Sequence, residues 1–278
     1  MRKPRDYIYY IGGTLCLVLS AFLLFQSGLI PTNLTNRIYV DNTVRGYRDY
    51  YHFDISLHRN DLRQAAAYLP VYSITEQEDM SKFLASFGMD QVALYDGGDY
   101  YRAKTDDGRQ LRIYKFLDKL VYLSENGERG EAEVAAEVAG EEAKEIAKDF
   151  VKQHLFMAGS FEASVRTYGV GHIVSFVETL GKIPNRAFPT TVVVDAFGNI
   201  VSAEHYYFDY EELMRTDLKT PAQAIAYLPR NHSGRVRIMS FELVYIFENS
   251  ILQPAYIFKG QYPDGSDFAA IVNALKFD

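Results

Sequence analysis

Tyr100-Tyr-Arg-Ala-Lys-Thr-Asp-Asp-Gly-Arg-Gln-Leu-Arg-Ile-Tyr-Lys-Phe-Leu-Asp-Lys-Leu-Val-Tyr-Leu-Ser124 is the stretch whose reading decides the fold. Aromatic, aliphatic and charged residues alternate in it, the pattern of half-buried strands. Asp106-Asp107-Gly108 breaks it with hairpin chemistry, since Gly accepts the positive φ of a tight turn. The reading predicts strands over Tyr100–Thr105, Gln110–Phe116 and Lys119–Ser124. Asp96-Gly97-Gly98 marks a further turn, with a strand expected before it over Gln91–Tyr95.

The same grammar extends in both directions. Asp61 to Tyr68 reads as a short helix, and Leu69-Pro70-Val71-Tyr72 as extended chain, because Pro disfavours helix in the residue before it. Thr75 and Glu78 fit a capping box. The helix after them places Met80, Phe83, Leu84 and Phe87 on one side and ends at Gly88. Downstream, Glu141–His154 reads as a helix with Ile146, Phe150 and His154 on one face. Four strands are expected next, Phe161–Tyr168, His172–Leu180, Thr190–Asp195 and Ile200–Tyr207, with a tight turn at Phe197-Gly198-Asn199. Asp209, Glu211 and Glu212 then read as a solvated loop, with a site for Ca²⁺ or a basic partner as the alternative. Thr220-Pro221 opens a helix to Leu228, with Pro at its first position. Strands over Arg235–Phe247, Gln253–Tyr262 and Phe268–Ala274 close the chain. A helix followed by an antiparallel meander, used twice, predicts an α+β fold of two tandem units, 46–128 and 141–278, joined by a linker at 129–140.

The N-terminus carries a different signal. Residues 1–6 are a basic start, with Arg2, Lys3 and Arg5, and Tyr7 to Phe25 is a run without charge. At about 1.5 Å per residue those residues nearly span the ~30 Å core of a bilayer. The expectation is a transmembrane helix over 7–29 and a juxtamembrane stalk over 30–45. Basic residues before the helix put the N-terminus in the cytoplasm and the bulk of the chain outside. A cleaved signal peptide is the rival reading, but the apolar run exceeds the ~7–15 residues of a typical h-region and no small-x-small site follows it. Gly12, Cys16 and Ser20, with Gly13 beside them, form a small-residue stripe suited to close helix–helix approach in a membrane.

Composition narrows the function. The chain has 22 Tyr and 18 Phe, no Trp, and Cys16 alone, so no disulfide staples it. Its net charge of −7, less the +2 of residues 1–25, leaves −9 beyond them. Such a balance disfavours nucleic acid, anionic lipid and anionic wall polymers by long-range attraction. The six histidines, His52, His58, His154, His172, His205 and His232, include no pair at i+2, i+3 or i+4, so no local metal pair exists. Gly169-Val170-Gly171 is a turn, not a phosphate loop. No Gly-x-Ser-x-Gly elbow is present. The reading assigns no catalytic, cofactor-binding or metal-ligating residue. The aromatic run Tyr206-Tyr207-Phe208-Asp209-Tyr210 has two readings, core and sheet surface or a sugar-stacking face.

In their order and spacing these segments resemble the YycI/YycH-type regulators of the WalK sensor kinase in Gram-positive bacteria, and YycI more closely in length. The resemblance rests on Leu69-Pro70-Val71-Tyr72, Leu84-Ala85-Ser86-Phe87-Gly88-Met89 and Leu111-Arg112-Ile113-Tyr114, then on Ala187-Phe188-Pro189, Val192–Asp195 and Gly198-Asn199-Ile200. It ends with Glu242-Leu243-Val244-Tyr245, Gln253-Pro254-Ala255-Tyr256-Ile257-Phe258 and Ile271-Val272-Asn273-Ala274. Tyr256 stands where the family often has Trp. The resemblance implies units similar to PepSY domains, no enzymatic activity, and an accessory role in a two-component system controlling cell-wall metabolism. It implies a WalK-like sensor histidine kinase and a sister YycH-like regulator as partners, and Tyr245, Pro254, Tyr256 and Asn273 as a structural motif. An extracytoplasmic PepSY-like module binding a cell-envelope ligand, or inhibiting an extracellular protease, is the alternative.

Overall fold

The computed structural model describes residues 50–55, 62–72, 77–124, 138–157, 160–169, 171–230 and 234–276. The expected membrane helix, the stalk, most of the linker, and Gly12, Gly13, Cys16 and Ser20 lie outside the described residues, as does Thr75. No helix among the described residues is long and apolar enough to cross a membrane. The fold is α+β, with two mostly antiparallel sheets and three short helices.

The larger sheet holds nine strands: β3 (Tyr95–Asp96), β4 (Tyr100–Lys104), β5 (Arg109–Tyr114), β6 (Lys119–Ser124), β7 (Phe161–Tyr168), β8 (Gly171–Leu180), β9 (Ile183–Pro184), β10 (Thr190–Val194) and β11 (Ile200–Tyr206). Their order is β3-β4-β5-β6-β11-β10-β8-β7, with β9 on β8. Helices α1 (Gln77–Ser86) and α2 (Gly140–His154) supply apolar side chains to one core with its inner face. Phe83, Phe87, Ala143, Ala147 and Val151 meet Leu111, Ile113, Leu120, Val174, Phe176 and Val192 there. Gly88 takes φ +65° as α1 ends, the left-handed exit that Gly permits without a Cβ clash.

In the element order α1 is followed by four strands, β3 to β6, and α2 by five that lie in the same sheet, β7 to β11, so the two sets share one sheet. β6 pairs with β11, Leu120 opposite His205 and Tyr122 opposite Ala203. The sheets therefore do not follow the expected division into 46–128 and 141–278. A meander read strand by strand shows its hairpins; it does not show which of its outer strands finds a partner in another meander.

The smaller sheet contains β1 (Tyr51–Phe53), β2 (Gln64–Tyr72), β12 (Phe208–Asp217), β13 (Val236–Glu248), β14 (Ile251–Gln261) and β15 (Asp267–Asn273), ordered β1-β13-β14-β2-β12 with β15 also on β14. β1 and β13 run parallel. The helix expected over Asp61–Tyr68 is replaced by β2. Ala65, Ala66 and Ala67 are all buried, so both faces of the strand are packed, and that outweighs alanine's helix propensity. The loop expected at Asp209, Glu211 and Glu212 is also strand, the outer half of the β2–β12 pair. The strand expected over Gln91–Tyr95 shrinks to β3, because Met89 and Val92 bond back to Leu84 and Met89 in a turn. The last expected helix is one α-turn, α3 (Pro221–Ala224), and a 3₁₀ turn, Ile225–Tyr227. Its capping box joins Thr220 and Gln223.

The described residues form two compact units, one of residues 50–55, 219–230, 234–240 and 259–268, the other of the rest. In the first, the Tyr51 hydroxyl donates to the Pro229 carbonyl, and its ring meets Phe53 and Phe268. The second holds α1, α2 and the whole larger sheet, and with them the surface described next.

Candidate functional site

Strand alternation sorts the aromatic run in two. Tyr207 turns inward: its ring lies 4.3 Å from Phe83 and its hydroxyl donates to the Leu155 carbonyl at 3.0 Å. Burial pushes its pKa up, so it is a neutral core phenol. Tyr206, Phe208 and Tyr210 follow one another on the other side, with centroid spacings of 5.9 and 6.2 Å. Phe188 packs on Tyr206, Phe208 and Phe247 at 5.2, 4.5 and 5.0 Å.

The row continues across the outer face of the larger sheet. Register places Tyr206, Lys119, Tyr114 and Tyr100 in line across β11, β6, β5 and β4. The Lys119 ammonium sits 5.5 Å from the Tyr206 ring and 5.9 Å from that of Tyr114, and bonds Glu204 at 2.7 Å. Burial works against its charge, but the Glu204 carboxylate outweighs that and its pKa is raised. One step along the strands, Arg102 lies over Tyr95 at 5.1 Å and Arg112 over Tyr100 at 5.8 Å. Arg102 and Arg112 are directly opposed across β4 and β5, where like charges repel. Among the described residues, no ion pair joins either guanidinium to a carboxylate, and Arg112 Nε is buried without a hydrogen-bond partner. Chemically this face offers π surfaces and cations, suited to stacking and to holding anions.

His205 alternates inward like Tyr207. Thr190 Oγ1 lies 2.5 Å from its Nδ1, Tyr207 stands edge-on at 4.1 Å, and burial holds its pKa down to about 3. Among the described residues no three His, Cys, Asp or Glu side chains group to hold a metal ion. His154, at the end of α2, directs Nδ1 to the Ser86 carbonyl at 2.6 Å, tying α2 to α1.

The four residues of the proposed structural motif occupy the smaller sheet. The Tyr245 hydroxyl donates to the Ala66 carbonyl at 3.0 Å, and its ring meets Tyr68 at 5.6 Å. Pro254 sits inside β14, where its carbonyl accepts from Ala274 N just past the end of β15. Its missing N–H therefore falls where the ladder is already ending. Tyr256 is fully buried against Phe241 and Phe258. Asn273 Nδ2 donates to Gln253 Oε1 at 2.8 Å, and its Oδ1 accepts from Leu275 N. Sequence reading missed Tyr100, Tyr114, Lys119, Arg102 and Arg112 as one surface. Their common parity along β4, β5 and β6 was the available signal.

No family model matches the chain, and no curated protein matches it in sequence. Among solved structures, it is similar to an uncharacterized protein from Eubacterium rectale, with a TM-score of 0.51 and 11% identity over 78% of this chain and 85% of that one. At that identity the likeness concerns the fold alone.

Proposed function

We propose that this protein is a membrane-anchored, extracytoplasmic accessory regulator that acts by contact on a two-component sensor histidine kinase of the WalK type, with no catalytic role. The basic-then-apolar start of residues 1–25 and the ordered motifs quoted above support the reading. The single structural observation that favours a contact role is β12, which ends the order of the smaller sheet. Leu213 and Met214 are exposed on it, 53% and 39%, at a register shift between Glu212 and Met214. A bulge blunts indiscriminate edge pairing, while exposed apolar groups beside it offer a partner specific purchase. A contact changes the kinase only if it favours one of its states over the other.

Co-purification of the full chain with the kinase of its own organism tests this. Leu213→Lys with Met214→Lys should abolish capture and change kinase output while the chain stays folded. Unchanged capture removes the edge from the proposal, and no capture by the unaltered chain overturns it. The aromatic face supports a second reading, a PepSY-like module for a cell-envelope ligand.

A further inference from the structure

The β5–β6 hairpin carries a feature that neither the core nor the kinase reading uses. Its turn is Lys115-Phe116-Leu117-Asp118, and Phe116 and Leu117 stand 72% and 52% exposed at the tip. Hairpin tips are ordinarily polar. Here the backbone holds two large apolar side chains out: Lys115 N donates to the Asp99 carbonyl at 2.9 Å, and Tyr207 N to the Asp118 carbonyl at 2.8 Å. The one acid of the turn, Asp118, is fully buried. Lys115 Nζ reaches back to Asp96 at 2.6 Å and lies over the Tyr101 ring at 4.4 Å.

Behind the tip the side chains are layered. Phe116 and Leu117 come first, the Tyr100–Tyr114 cross-strand pair about 7 Å back, and the Arg102–Arg112 pair about 7 Å beyond that, at ~3.3 Å per residue. Apolar tip, tyrosine belt and cations is the order in which a bilayer presents acyl boundary, interface and headgroup phosphates. The outward-facing cations Lys115, Lys119, Arg102 and Arg112 exceed Asp96, Asp99 and Glu204 by one, and the buried Asp118 brings this end to zero, in a chain of net charge −7. Within a Debye length of about 8–10 Å the local balance, not the chain total, is what a surface feels.

We propose that the β5–β6 hairpin docks on a lipid bilayer, Phe116 and Leu117 entering the acyl boundary and Arg102 and Arg112 taking anionic headgroups. This does not rest on the kinase reading. Because the chain contains no Trp, Phe116→Trp makes a single reporter. The full chain would be reconstituted in nanodiscs of phosphatidylcholine, with or without phosphatidylglycerol, and with brominated acyl chains. The indole should be blue-shifted and quenched about twofold or more by brominated lipid, most strongly with phosphatidylglycerol. Phe197→Trp, in the turn at the opposite end of the sheet, should stay unquenched. Leu117→Trp serves if the first variant misfolds. Arg102→Gln with Arg112→Gln should erase the advantage of the anionic bilayer. Emission at the tip identical in nanodiscs and detergent overturns the proposal, as does a blue shift that needs added kinase. Quenching equal in neutral and anionic bilayers removes the arginine pair from it.

Discussion

Replacing Tyr256 by Ala tests the smaller sheet's core most directly. The side chain is fully buried, with the Phe241 and Phe258 rings 6.0 and 6.1 Å away. A buried aromatic side chain removes roughly 150–250 Å² from water. At about 25 cal/mol per Å² that is about 4–6 kcal/mol, an upper bound because the unfolded chain already hides part of the area. Aromatic-to-alanine changes in cores cost about 3–5 kcal/mol, and that is the loss expected here. For a chain of this size it corresponds to a fall in Tm of about 6–20 °C. Urea unfolding followed by circular dichroism would measure it, with Tyr256→Phe as the companion that keeps the ring. A loss below about 1 kcal/mol at unchanged m would refute the packing argument, for it would mean that the ring has little to lose.

Three further outcomes follow from local geometry. His205 is held neutral by burial, with its pKa down to about 3, so the unfolded chain takes up a proton near pH 6.5 that the fold refuses; stability should be full above that pH and fall by up to about 1.4 kcal/mol per pH unit between about 6.5 and 3. His205→Asn should flatten the slope between pH 7 and 5, and an unchanged slope relative to the natural chain would count against a buried neutral imidazole. Asn249 and Ser250 join β13 to β14 with φ of 52° and 64°, so Ser250→Gly should raise stability by about 0.5–1 kcal/mol in thermal melts by relieving the left-handed strain. Gly260→Ala would bring a Cβ to 2.0 Å from the Arg237 carbonyl oxygen and should cost about 3 kcal/mol or more; a near-neutral result would show that the two strands separate easily.

The local elements were legible because their causes are local. Alternation with Asp-Gly turns specified β4 to β6, and the gap between the helix face of Phe83 and Phe87 and the stop at Gly88 bounded α1. The α+β class and the absence of a local His pair came from the same short-range patterns. What only the tertiary structure decided is long-range. Ala65–Ala67 form a strand because β12 pairs with each of them and β14 pairs with their neighbour Tyr68, and no propensity within nine residues records that. The pairing of β6 with β11 merges two meanders into one sheet across some 80 residues of chain. It also sets Tyr206 beside Lys119 and so assembles the aromatic and cationic face from separate hairpins. Sequence carries the parity of each strand, since side chains alternate by covalent geometry. Which strands become neighbours is chosen by the burial of whole faces, and that choice exists only once the chain has closed on itself.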